Sequence, residues 1–314
     1  MHKLLESISN TLLDDFENEF VLINGTRHFL KNEFLELSTG ENNSFCFIDG
    51  GNGEIVGSSA FSLNYNKISQ VFFSGTKYFN SKTESFFSLS KKTNSKISFE
   101  TEPEKNFDNL TEEVSCYDAC CIIRSCSELD SATHVSNCSS IVLDGSFDAD
   151  KYCKPFFDVL KQKCLSSKTI LLGVSKTSGF VTSKGRPISF VLNELNKNNH
   201  EKWFYSSELI QDGFETCFVK LHPKSEHILR VDFLSEQKDL LKIALENLSL
   251  NCSDPVFFGY PFGLIMADDF ARVSKQEVSE LKAEAFVKLG KNSDLVEEAA
   301  KSSDAHAVLD KAKF

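Results

Sequence analysis

The sequence predicts an α/β fold: a mixed sheet with flanking helices, plus N- and C-terminal helical appendages. Two apolar runs, "SFCFIDGG" (44–51) and "SIVLDGS" (140–146), each end in an aspartate followed at once by glycine. A helix-length stretch separates the second from a third run, "KTILLGVSKTS", which is the signature of a βαβ unit and so of parallel pairing. Segments rich in β-branched and aromatic residues follow the first run directly, as antiparallel strands do. With 314 residues, 41% of them hydrophobic, the chain can bury a sizeable core, and a charged fraction of 25% excludes wholesale disorder.

The elements follow in order. Residues 3–17 set Leu4, Leu5, Ile8, Leu12, Leu13 and Phe16 on one helical face, a docking helix for its own core or for a partner. Residues 44–49 read as a buried strand. "GEIVGSSAFSLNY" and "ISQVFFSGTKYF" read as a hairpin turning at "NYNK". Residues 80–114, rich in Ser, Thr, Lys and Glu but holding Phe86, Phe87, Ile97 and Phe99, read as a variable insertion with weak order. A helix over 116–134 turns Ala119, Ile122, Ile123, Cys126 and Leu129 inward, and a second helix spans about 150–165. "TCFVKLHPKSEHILRVDFLS" alternates about a turn, and 236–249 is an amphipathic helix. "GYPFGLIMADDFARVSKQEVSELKAEAFVKLG" opens on a proline turn and continues as helix, with a charged helical tail after it. The expected organisation is an N-terminal helical segment (1–38), an α/β domain (39–280) and a C-terminal helical tail (281–314).

Three antiparallel strands, a helix, a parallel strand, a helix and another strand make the ribonuclease H-like arrangement. In it the first and fourth strands lie side by side, so Asp49 and Asp144, 95 positions apart in sequence, meet at neighbouring strand ends.

Composition narrows the function classes. The N-terminus carries acids where a secretory signal needs an uninterrupted apolar core, and no apolar run approaches the ~18 residues of a membrane span. A cytoplasmic protein with no membrane partner is expected. Ten cysteines include the cluster Cys116, Cys120, Cys121 and Cys126, but no C-x-x-C pair occurs, which favours small buried hydrophobes over zinc or an iron–sulfur cluster. The net charge of −11 argues against nucleic acid, yet residues 151–200 hold nine Lys/Arg against two acids, a segment able to track phosphates or simply a solvated surface.

Two adjacent carboxylates repel each other, and keeping both ionised requires a cation. Hard divalent ions, Mg²⁺ or Mn²⁺, suit oxygen ligands, and two of them would activate a water and stabilise the leaving oxygen of a phosphodiester. Glycines 50, 51 and 145 would leave room for metal and phosphate. Glu128 and Asp268 are the candidates for further acidic ligands, Asp269 facing away; Lys176 and Tyr260 are candidates to act on the phosphate. Each also has an ordinary reading: turn aspartates, a Glu128–Arg124 helix pair, a surface Asp268, a solvated lysine and a packing tyrosine.

The set "FIDGG", "RSCSELDSA", "SIVLDGS", "LLGVSKTS" and "GYPFGLIMADDFARVS" resembles the NurA nuclease family of archaea, in order and rough spacing, from about residue 40 to 280. The resemblance implies a Mn²⁺-dependent deoxyribonuclease with 5′→3′ exonuclease and single-strand endonuclease activity. It implies a homodimer that works with a hexameric HerA-type translocase in double-strand break resection. Carried over by motif, Asp49, Glu128, Asp144 and Asp268 are the metal ligands. Lys176 and Tyr260 support the phosphate or position the strand, and Arg272 is a weaker DNA contact. The sequence departs from the family where "RSCSE" is polar and where Gly263 stands in place of a more usual proline. For DNA binding, the basic segment adds Lys184 and Arg186 to Lys176. An actin- or sugar-kinase-like nucleotide-binding protein also reads strand–Asp–Gly twice, but "DGGNGE" fits its phosphate loops poorly; a non-catalytic partner subunit would have no need to keep the acids.

Overall fold

The structure is a computed structural model and describes residues 2–13, 16, 18–23, 25–31, 33–94, 96–105, 107, 114–148, 150–197 and 199–303. Helix α1 (His2–Leu13) precedes a small antiparallel pair, β1 (Phe20–Ile23) with β2 (Thr26–Phe29), and then β3 (Phe34–Glu36). Three long strands follow, β4 (Ser44–Gly57), β5 (Phe61–Ser74) and β6 (Lys77–Thr93), with β7 (Lys96–Glu102) after them. Next come α2 (Cys116–Thr133), β8 (Ser140–Asp144), α3 (Lys154–Ser167) and β9 (Ile170–Ser175). Then come α4 (Ile188–Leu195), β10 (Trp203–Gln211), β11 (Phe214–Lys220) and β12 (Leu229–Leu234). A 3-10 segment, Ser235–Leu240, leads into α5 (Leu241–Ser249), followed by α6 (Phe262–Ala271), α7 (Lys275–Leu289) and α8 (Ser293–Ser303).

One mixed sheet runs in the order β3-β10-β11-β12-β9-β8-β4-β5-β6-β7. The β4–β8 and β8–β9 pairings are parallel and β4–β5–β6 are antiparallel, so the topology is the ribonuclease H-like one read from the sequence. Alternation along the strands divides the core. Phe45, Phe47, Val142 and Val174 face α5 and α6, while Cys46, Ile48, Ile141 and Leu143 face α2 and α3. Among the described residues no helix is long and apolar enough to cross a membrane.

Several elements differ from the sequence reading. Strand β4 does not stop at Asp49; it runs to Gly57 in register with β5, pairing Gly50 with Ile68 and Gly51 with Lys67. "NYNK" is no turn. Asn64 and Asn66 lie inside β5, fully buried, because their amides bond to Ser62 and Ser88 in a polar strip beneath α2. The strip gives acceptors to both amide NH₂ groups, which lowers the usual penalty on asparagine in a strand, although the Asn66 Oδ1 makes no hydrogen bond among the described residues. The turns fall instead at 58–60 and 75–76. Most of 80–114, read as weakly ordered, forms β6 and β7, with Phe86 and Ile97 buried; residues 106 and 108–113 lie outside the described ones. The final helix breaks at 272–274, where Ser274 caps α7 in a capping box with Glu277.

Gly263 has a packing reason. A Cβ there would meet the Phe47 ring at 2.0 Å, in the fully buried core between β4 and α6. Gly263→Ala is therefore expected to cost about 3 kcal/mol of stability in urea unfolding, an overpacking penalty the rigid ring cannot relieve.

Candidate active site

The parallel ladder sets the site. Ile48 pairs with Leu143, the last β4–β8 partners, and Asp144 pairs with Val174 of β9. The next position on β4 is Asp49, so the two aspartates stand side by side where β8 ends. By alternation Asp49 follows Phe47, Asp144 follows Val142 and Lys176 follows Val174. All three therefore leave three adjacent strands on the α6 face.

Glu128 arrives from the other face. It sits on α2, and a Cβ on Gly50 would lie 2.3 Å from its Oε1. Gly51 lies under the end of α6, where a Cβ would meet the Ala271 carbonyl oxygen at 2.2 Å. The glycines after Asp49 thus admit a carboxylate and a helix end, rather than metal and phosphate as the sequence suggests. Gly145 is the exception: it adopts φ +118° and has open space on its Cβ side.

Asp49, Glu128, Asp144 and Asp268 line one cleft of about 600 Å³, together with Arg124, Ser146, Asp148 and Asp150. Three of the four acids face cations. Arg124 donates to Glu128 and also to the Gly50 carbonyl oxygen at 2.8 Å. Lys176 Nζ lies 2.8 Å from Asp144 Oδ2, and Arg272 Nη2 lies 2.9 Å from Asp268 Oδ2. Asp49 accepts only the N–H of Gly50, at 2.8 Å, among the hydrogen bonds described. As they stand, no three of the described His, Cys, Asp and Glu side chains are grouped closely enough to hold a metal ion.

The electrostatics are those of crowded acids. Burial, then the charge of Asp144, push the Asp49 carboxyl up to about 7, against the pull of the Gly50 N–H. Burial pushes Glu128 up to about 8, with Arg124 opposing and Asp49 and Asp144 adding to it. Burial draws the Lys176 amine down, but the hydrogen bond and charge of Asp144 outweigh it and hold it above the ordinary lysine value. Its ammonium sits 5.0 Å over the Tyr260 ring. Tyr260 is fully buried, its hydroxyl makes no hydrogen bond of good geometry among the described residues, and burial, then the nearby Asp144, raise its pKa. Such clustered shifts in a cleft are a physical mark of a working site.

Not every predicted residue belongs. Arg186 is a core cation and not a DNA contact: it is fully buried, pairs with buried Glu19 at 2.7 Å, donates to the Thr11 carbonyl and lies over the Phe16 ring. Lys184 shares its turn, which bonds to β1 through Ser183, away from the cleft-lining residues. The basic stretch 151–200 is not one open face. Lys161 bonds Glu236, Lys163 bonds the carbonyls of Ala132 and Val135, and Lys197 bonds Glu194. Arg272 is exposed and spans Asp268 and Asp269 at the cleft mouth. Of the proposed N-terminal docking face, Leu5 is exposed, whereas Phe16 packs against Phe190. The wall formed by Ser146, Asp148 and Asp150 escaped the sequence reading; its signal was the acid-rich "SFDAD" directly after Asp144.

These features define a ribonuclease H-like fold with a carboxylate cleft at its parallel strand ends. Among solved structures, the chain is similar to the NurA nuclease from Sulfolobus solfataricus, with 15% identity over 93% of this chain and 95% of that one and a TM-score of 0.59. It is also similar to NurA with manganese (9% identity, 93% and 98% covered, TM-score 0.55) and to NurA bound to dAMP and manganese (9%, 83% and 91%, 0.52). No protein-family model and no curated protein matches the chain.

Proposed function

We propose that this protein is a metal-dependent nuclease that hydrolyses phosphodiester bonds of DNA in the Asp49–Asp144 cleft. One observation carries the reading: four carboxylates from β4, β8, α2 and α6 line a single cleft on a fold shared with structures of a nuclease. Arg124, Lys176 and Arg272 offset three of these charges, which leaves Asp49 beside Asp144 without a hydrogen-bonded cation among the described contacts, a place a divalent ion would fill.

The residues suit a hard divalent cation. The donor set is all carboxylate oxygen, two members are held partly protonated, and a buried tyrosine hydroxyl beside them makes no hydrogen bond of good geometry among the described residues. Asp49, Asp144, Glu128 and Asp268 would hold the metal, Mn²⁺ or Mg²⁺. Two such ions would supply Lewis acidity at the phosphodiester and offset charge on the entering and leaving oxygens. The chain's own groups complete the site. Lys176, freed from Asp144, brings a cation to the scissile phosphate, while Tyr260, fully buried beneath it, supports the ammonium with its ring face. Arg124 holds Glu128 over Gly50, and Arg272 meets the DNA backbone at the mouth. Dimerisation, 5′→3′ and single-strand cleavage, and work beside a HerA-type translocase in break resection follow from the motif resemblance. The exposed Leu4, Leu5 and Ile8 of α1 suit docking to such partners.

The test is cleavage of end-labelled single-stranded DNA with MnCl₂ and with EDTA. Wild type should cut only with metal, and Asp144→Asn should be slower by about 100-fold or more. Cleavage indifferent to EDTA, or undiminished in Asp144→Asn, would sink the assignment.

A further inference from the structure

Behind the cleft wall lies a buried ionic network that the chemistry above does not use. Asp232 of β12 is fully buried and accepts four hydrogen bonds. They come from Thr216 Oγ1 at 2.7 Å, Arg230 Nε and Nη2 at 2.9 Å each, and the backbone N–H of Phe147 at 2.9 Å. Arg230, itself 7% exposed, turns its remaining nitrogen, Nη1, to Asp148 Oδ2 at 2.6 Å and lies 5.0 Å over the Phe180 ring. Both ends of the network therefore grip residues 147 and 148, three and four positions after Asp144.

The same short segment is held from below. The Gly145 N–H bonds the Val174 carbonyl at 2.9 Å, and the Phe147 ring fills the space a Cβ on Gly173 would occupy, 2.7 Å from its Cε1. Ser146, Phe147 and Asp148 line the same cleft as Glu128. A buried ion pair is a weak device for stability alone, since apolar residues of similar size often do as well. What it gives is a fixed position for the groups it bonds.

We propose that Arg230 and Asp232 are positioning residues that hold the 145–148 segment, and through it Asp144 and the cleft wall, in the geometry that hydrolysis requires. They touch neither substrate nor metal. The consequence for cleavage rests on the nuclease reading; the holding of the segment does not.

The experiment compares wild type with Arg230→Gln, Arg230→Lys and Thr216→Val by hydrogen–deuterium exchange and by single-stranded DNA cleavage with Mn²⁺, below the melting temperature of each. Thr216→Val removes one bond to Asp232, is nearly isosteric and folds if the harsher variants do not. Exchange should quicken at least fivefold in peptides covering 145–150 and stay unchanged in α5 and β10. The turnover number should fall at least tenfold in Arg230→Gln and about threefold in Thr216→Val, with KM for DNA within twofold. Arg230→Lys should recover part of the loss. Unchanged exchange at 145–150, or faster exchange with full turnover, would overturn the proposal, as would a loss of activity that follows global destabilisation alone. If wild type itself cuts no DNA, the nuclease reading fails separately. The holding of the segment is then decided by exchange at 145–150 without metal: quickening there in Arg230→Gln and Thr216→Val supports it, and unchanged exchange overturns it.

Discussion

Asp49→Asn is expected to lower metal-dependent DNA cleavage by about 10³-fold and, at pH 8 without metal, to make the protein more stable. Asparagine keeps the shape of the side chain and an oxygen for the Gly50 N–H, so the local fold of β4 has no reason to change. What disappears is a negative charge beside Asp144 and near Asp268 and Glu128. In the metal-free protein that charge opposes folding; for a divalent cation held in the cleft it would be a principal ligand. Activity and stability should therefore move in opposite directions, with stability rising by about 1–2 kcal/mol in urea melts. A variant that loses both would mark Asp49 as a structural residue.

The second large effect is a pH dependence. Asp49 and Glu128 titrate near 7 and 8 in the folded chain, both above the ordinary carboxylate values of 3.8 and 4.5. The native state therefore binds more protons than the unfolded chain between about pH 4 and 8. Stability from these groups is full below pH 4, falls as pH rises through 7 and 8, and levels off beyond. For Asp49 alone the limit is about 4 kcal/mol, shared in practice with its coupled neighbours. Urea melts at pH 6 and pH 9 in EDTA should differ by a few kcal/mol in favour of pH 6, and Asp49→Asn should reduce the difference by about a third, the remainder coming from Glu128. Because Mn²⁺ in the cleft would bind the deprotonated carboxylates, it should raise the melting temperature more at pH 9 than at pH 6. A pH-independent Mn²⁺ effect would place its binding elsewhere.

The centre of the site was legible because its signal is local: an apolar run, an acid and a glycine, twice, with a helix-length gap that makes the second strand parallel. Alternation along β4, β8 and β9 then fixes the side on which Asp49, Asp144 and Lys176 emerge. Tertiary context decided what was misread. Asn64 and Asn66 read as a turn because the buried serines that accept from their amides lie on β5 itself and on β6. Arg186 read as a DNA contact because its counter-ion, Glu19, is 167 positions away. Gly50 and Gly51 read as open space because α2 and α6, which fill it, come from distant parts of the chain. The Arg230–Asp232 network left no motif, since the backbone N–H that donates to Asp232 belongs to the loop after another strand.

Crystals grown with MnCl₂ and measured at the manganese absorption edge test the central claim most directly. Anomalous density in the cleft, within bonding distance of carboxylate oxygens of both Asp49 and Asp144 and absent from Asp49→Asn crystals, is the predicted result. Density confined to other sites, or none in the cleft at saturating Mn²⁺ and pH 8, would contradict it.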